Sequence, residues 1–252
     1  MDSNKTRVAS VSSGKGGVGK TFVTISLAAS FARKGERVLA VDCDLGLANM
    51  DIMLGINPKN TLKDIVFGAL PVKEAIVHTK AGFDLIPGSS GIKELAHPMY
   101  EKIQDIKAVL EPVFFDYDHV LLDTGAGISE MVLQFNLMAD LNIVVINREL
   151  TSLTDAYALI KVMYQVFGRD FFGVVVNSAS DARDAQKIFN QLSATCKKFL
   201  GFSLTYLGHI TRDEAVPRSI LSREVLVLRE PESAVALNCT SIVEALRVCE
   251  IQ

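Results

Sequence analysis

The 252-residue chain predicts an α/β fold: a mainly parallel sheet of about seven strands with helices on both faces. Three observations lead there. Seven short apolar runs, Val8–Val11, Val38–Val41, Phe83–Pro87, Tyr117–Asp123, Leu141–Asn147, Phe171–Asn177 and Leu204–Ile210, are separated for the most part by segments of helical spacing. A glycine-rich loop joins the first run to the first helical segment. Two of the runs end at aspartates, Asp42 and Asp123, at the strand ends where open α/β sheets bind ligands. With 49% hydrophobic residues, residues 1–252 suffice for one domain with a substantial core.

The first strand runs into Gly14-Lys15-Gly16-Gly17-Val18-Gly19-Lys20-Thr21, and a helical pattern follows from Phe22 to Arg33. Strand, glycine loop and helix in that order give a phosphate cradle, and the spelling fits G-x-x-x-x-G-K-[ST]. Glycines let the backbone approach a phosphate, with successive N–H groups converging at the positive end of a helix. Lys20 supplies a charge for the outer phosphates, and the Thr21 hydroxyl suits a shared magnesium ion. The expected nucleotide-binding residues therefore run from Gly14 through Phe22. A flexible glycine turn is the competing reading, and the strand–loop–helix context argues against it.

The second strand starts after a helix stop at Lys34-Gly35-Glu36 and ends in Asp42-Cys43-Asp44. One carboxylate can orient an attacking water while the other supports the magnesium shell, the two services phosphoryl transfer needs; turn-forming aspartates are the alternative. Residues 55–82 read as loop with short amphipathic pieces at Thr61–Phe67 and Pro71–Ile76. The glycines of Pro87–Gly91 lack a following Gly-Lys-Thr and read as a connection. His97–Val113 has helical spacing. Tyr117–Asp123 is an apolar strand ending in a metal-binding aspartate, and Thr124–Ser129 is a small-residue loop able to move against a γ-phosphate. Leu141–Asn147 precedes a helix that Thr151 or Ser152 would cap. Asp181–Phe199 is an amphipathic helix, and a final helix is expected from Pro231.

Net charge is −3, which offers no broad nucleic-acid-binding face. The four cysteines are scattered, without zinc spacing or a disulfide framework. The polar start, Met1–Lys5, is unlike a signal peptide. No apolar run reaches the ~20 residues of a membrane span. A cytoplasmic setting is expected. The final segment, Glu244–Gln252, has two acids and one arginine and lacks the basic face that anionic lipid attracts, so it reads as a core helix.

The spelling Lys15-Gly16-Gly17-Val18-Gly19-Lys20-Thr21 resembles the deviant Walker A loop of the MinD/ParA P-loop ATPases, and the resemblance runs from about Arg7 to Leu246. It implies ATP and Mg2+ as ligands and a nucleotide-dependent homodimer in which Lys15 reaches the partner's nucleotide. By the same resemblance Asp44 positions the hydrolytic water, Asp42 supports the metal site, and Asp123 binds magnesium as the Walker B carboxylate. Asn177 would read the adenine edge, and Asp213 would stand beside it. Asp123-Thr124-Gly125-Ala126-Gly127-Ile128 and Asp44-Leu45-Gly46-Leu47-Ala48-Asn49 look like the FlhG/FleN branch, which controls flagellar number and placement. Thr151–Tyr157 resembles it too, whereas Asn147–Leu150 departs from it: the family usually has prolines at the positions of Arg148 and Leu150.

The resemblance implies a slow, partner-stimulated ATPase whose partner is a flagellar switch component or a signal-recognition-type GTPase. The N-terminal extension with which some FlhG proteins stimulate that GTPase is absent from this reading. The alternative is a MinD- or ParA-like positioning ATPase working on membrane or DNA, with peripheral contact at the inner face of the plasma membrane. Weak or absent membrane contact and no sequence-specific nucleic acid are expected. A ligase of small substrates on the same loop ranks last, since no separate substrate constellation stands out.

Overall fold

A computed structural model describes residues 6–66, 68, 70–89 and 100–249 of the chain. Its centre is one eight-stranded sheet in the order β3-β4-β2-β5-β1-β6-β7-β8. The strands are β1 (Arg7–Ser13), β2 (Val38–Cys43), β3 (Val77–His78), β4 (Asp84–Ile86), β5 (His119–Ala126), β6 (Leu141–Ile146), β7 (Phe172–Ala179) and β8 (Thr205–Thr211). All neighbours pair in parallel except β3 with β4. Every residue of β2 and β6 is buried, as expected of strands covered on both faces.

The sheet thus has eight strands where about seven were expected. The addition is β3, two antiparallel residues at the edge inside the stretch read as loop. Two residues are too few to display a period of two.

The helices are α1 (Lys20–Ala32), α2 (Met50–Leu54), α3 (Leu62–Val66), α4 (Tyr100–Phe114), α5 (Glu130–Leu137), α6 (Leu150–Phe167), α7 (Ala182–Leu200), α8 (Ala215–Ser222), α9 (Leu226–Arg229) and α10 (Ala234–Val248). Val72–Ala75 forms a 3-10 turn. One apolar core joins α1, α9 and α10 to the sheet, through residues such as Leu27, Val227 and Ile242. On the opposite face α5, α6 and α7 form a second core around Leu159, Met163 and Ile188, and α3 and α4 a third around Leu62 and Leu110. The final helix packs into the core through Val235, Ala236, Cys239, Ile242, Val243 and Leu246, while Leu237 and Val248 are exposed. Residues 90, 91, 97–99 and 250–252, to which the readings of the Pro87–Gly91 connection, the His97–Val113 helix and the chain end extend, lie outside the described residues.

Because β1 lies inside the sheet between β5 and β6, the loop after it opens among the C-terminal ends of β2, β5, β6 and β7. The ligand crevice of an open α/β sheet forms at that edge.

Candidate functional site

The glycine loop leaves β1 and turns into α1 through Gly19, whose φ of 93° is left-handed and suits a residue without Cβ. No side chain caps α1, so the first-turn N–H groups have no partner from a cap and none from within the helix. Gly16 and Gly17 are exposed, and a Cβ added at either would meet open space. Gly14 has a different reason to be glycine. An added Cβ would lie 2.0 Å from the carbonyl carbon of Asp155, so strand end and α6 approach too closely for a side chain. Val18 and Phe22 bury their side chains in the core, and only the backbone of Phe22 remains for the loop.

The two lysines face different surroundings. Lys20 is buried, 8% exposed, and its charge acts on Asp123. Lys15 turns to the rim, where its Nζ pairs with Glu149 and donates to Thr151 Oγ1 at 3.0 Å. Glu149 is itself held by the loop after β6: its N–H donates to Asn147 Oδ1 at 3.0 Å. Neither Glu149 nor Thr151 was expected as a partner of Lys15.

Asp123 interacts with Lys20 and with two further carboxylates, Asp42 and Asp44. Asp42 and Asp123 are register neighbours on β2 and β5, both buried. Burial, and then each other's charge, push Asp42 up from the ordinary carboxylate range. Burial also raises Asp123, against the opposing effects of Thr21, Lys20 and Thr24. The Thr21 hydroxyl lies by the Asp123 carboxylate and favours its charge, and Thr24 Oγ1 donates to Asp123 Oδ1 at 2.9 Å. Asp42 accepts N–H bonds from Asp44, Asn49 and Met50, each at 3.1 Å, and so shapes the loop that carries Asp44. Asp44 Oδ1 accepts from Gly46 at 3.2 Å and Leu47 at 3.0 Å. A Cβ on Gly125 would lie 3.7 Å from the Asp44 carboxyl carbon, so the loop after β2 adjoins the end of β5 and the loop that follows it. Gly127 N–H donates to Ser13 O at 2.9 Å and ties the second of these loops to the end of β1.

Among the described residues no group of three or more His, Cys, Asp or Glu forms a ready-made metal cage. The hydroxyl of Thr21 beside two buried carboxylates suits a hard cation that takes its remaining ligands from phosphate and water, the habit of Mg2+. The donors and the open cradle therefore fit a magnesium–nucleotide pair.

Asn177, at the end of β7, is buried against the loop: Nδ2 donates to Val18 O at 2.7 Å, and Oδ1 accepts from Ser178 N–H at 2.9 Å. Asp213 accepts from Ala215 N–H at 2.7 Å at the start of α8. The expected caps of α6 are displaced. Glu149 occupies the cap position, and Ser152 instead is buried and accepts from Asn147 N–H at 3.1 Å.

A family model described as an AAA domain matches residues 6–170. The chain is 33% identical to the antiactivator FleN of Pseudomonas aeruginosa over 94% of its own length and 85% of that protein's. It is 30% identical to the flagellum site-determining protein YlxH of Helicobacter pylori, covering 88% of this chain and 75% of that one. Among solved structures, the septum site-determining protein MinD of Pyrococcus horikoshii, complexed with Mg-ADP, superposes with a TM-score of 0.80 at 28% identity, covering 97% of each chain.

Proposed function

The chain belongs to the MinD/ParA family of P-loop ATPases, on its FlhG/FleN side, and from that membership we propose an ATP-dependent dimerisation switch. In this reading two copies close around two nucleotides, and hydrolysis lets them part. The observation that carries it is the separation of the two loop lysines. Lys20 is buried beside Asp123 and serves the phosphates of its own protomer. Lys15 sits at the rim against Glu149 and Thr151, where a second copy can take it up. Leu47 and Ile128, in the loops after β2 and β5, and Leu150, at the start of α6, are 72%, 49% and 78% exposed at the same sheet edge. They supply apolar area for a partner copy to cover.

The N–H groups from Gly14 to Phe22 bind the phosphates, and Lys20 offsets their charge. When bound, Mg2+ neutralises charge on the outer phosphate oxygens. Thr21 and Asp123 hold it, and Asp42 fixes the adjoining loop. Asp44 orients the hydrolytic water. Asn177 and Asp213, at the ends of β7 and β8, border the space for adenine. The loops Asp44–Met50 and Thr124–Ser129 contact the γ-phosphate or lose it, and that difference changes affinity for a partner. Turnover is slow until the partner stimulates it. The resemblance to FleN and YlxH supports an output in flagellar number or placement, through a flagellar switch component or a signal-recognition-type GTPase.

Molar mass in solution tests the switch. Asp44→Ala, blocked in turnover, is expected to be dimeric with ATP and monomeric with ADP, and Lys15→Ala monomeric with both. A Lys15→Ala protein that dimerises and hydrolyses ATP like the parent removes the role of Lys15 across the interface.

A further inference from the structure

The geometry points to Asn177 as a positioning residue that aims a peptide of the phosphate loop, a role that rests on the nucleotide reading above and is separate from contact with a base. Asn177 is 7% exposed, and its amide is committed on both sides. Its Nδ2 donates to the Val18 carbonyl at 2.7 Å, and its Oδ1 accepts from Ser178 N–H at 2.9 Å. The amide lies so close to the loop that a Cβ on Gly19 would fall 2.2 Å from Nδ2.

The strand is distorted to achieve this. Between β7 and β8 the register slips after Asn177↔Ile210, so that Ala179 pairs with Thr211 and Ser178 is left over as a bulge. Ser178 takes a φ of 57°, a left-handed conformation that non-glycine residues rarely adopt. Bulges re-aim side chains beside functional sites, and strain of this kind persists where the surroundings enforce it.

The consequence follows from peptide planarity. In a trans peptide the C=O and the next N–H point in opposite directions. Holding the Val18 carbonyl toward Asn177 therefore turns the Gly19 N–H away from it. Gly19, on the N–H side of this peptide, has no Cβ and places little steric limit on its rotation. Without the tether the peptide can turn over, placing a carbonyl dipole where the phosphates need a donor. The Val18 side chain is fixed in the core, so Asn177 has one carbonyl to hold.

The test measures Mg2+-dependent binding of ATP, GTP and tripolyphosphate, which has no base, by calorimetry. Loss of one aiming hydrogen bond in Asn177→Ala should weaken all three by a common factor of about 10. Asn177→Asp, isosteric and still able to accept from Ser178, should weaken them further, because a carboxylate repels the Val18 carbonyl. The ATP-to-GTP ratio should stay at the parent value in both. Melting curves confirm that the variants are folded, and Asn177→Asp stands in if Asn177→Ala is not. Loss confined to ATP, with tripolyphosphate binding unchanged, overturns the positioning role and leaves a base contact. Unchanged binding of all three also overturns it. Failure of the parent protein to bind ATP would instead remove the nucleotide reading beneath it.

Discussion

The two edges of the sheet both gather charge, and they settle it differently. At the N-terminal edge acids meet bases. Arg37 Nη2 lies 2.8 Å from Asp118 Oδ1, and Glu36 stands between His119 Nε2, at 2.5 Å, and Arg247. Both oxygens of Glu36 are buried without a well-aligned hydrogen bond, facing the Arg247 guanidinium and an imidazole, His119, that burial holds below the ordinary histidine range. Arg7 Nη1 donates to the carbonyls of Leu246 and Arg247, each at 2.9 Å, and closes the end of α10. At the C-terminal edge Asp42 and Asp44 stand by Asp123, which faces Lys20, and burial holds Asp42 and Asp123 above the ordinary carboxylate range. The first edge is complete within the chain and serves stability. The second is arranged for charge that a ligand brings.

The largest effect expected from this contrast is at Lys20. Lys20→Ala should cut ATP affinity by at least about 100-fold, about 2.7 kcal/mol, while the nucleotide-free protein still unfolds in one cooperative transition. Calorimetry and a melting curve check both halves. Glu36→Gln is the converse at the other edge. It leaves Arg247 without its anion and should cost about 2 kcal/mol in denaturant unfolding, with ATP affinity unchanged. A matching fall in ATP affinity would show that the edges are not independent.

Glu149→Gln sharpens the contrast within the nucleotide edge. The Lys15–Glu149 pair is solvent-exposed, so its loss should leave the melting temperature where it is. Releasing Lys15 should modestly strengthen ATP-dependent dimerisation, read as molar mass against protein concentration. The smallest effect concerns pH. The hydrogen bond from Arg37 holds Asp118 below the ordinary carboxylate range. A carboxylate lowered in the folded state adds stability above its unfolded value, and that contribution is lost as pH falls through the folded value. Arg37→Ala and the parent should therefore differ most near neutral pH and converge once pH falls below the ordinary carboxylate range, as urea midpoints would reveal.

What could be read in advance follows the range of the physics involved. The phosphate loop was legible because glycine freedom, a helix start and Lys20-Thr21 are contiguous chemistry. Buried strands such as β2 and β6 were legible because continuous apolar runs are local signals. The pairing of Lys15 with Glu149 was not, because the partners are 134 positions apart and an exposed ion pair leaves no pattern. Asn177 was expected to end its strand, which in fact runs on to Ala179, and its acceptor is the main-chain carbonyl of Val18, which no sequence pattern marks because every residue has one. The start of α6 was misplaced by one turn chemistry for another: Ser152 bonds back to Asn147 from inside the helix.

Calorimetric titration of the purified chain with ATP, with and without Mg2+, tests most directly whether the C-terminal edge awaits a ligand. The account predicts uptake that requires Mg2+, is lost in Lys20→Ala, and stabilises the fold by about 2.7 kcal/mol at a ligand concentration 100 times the Kd. Absence of any Mg2+-dependent adenine-nucleotide uptake by the folded protein would contradict it.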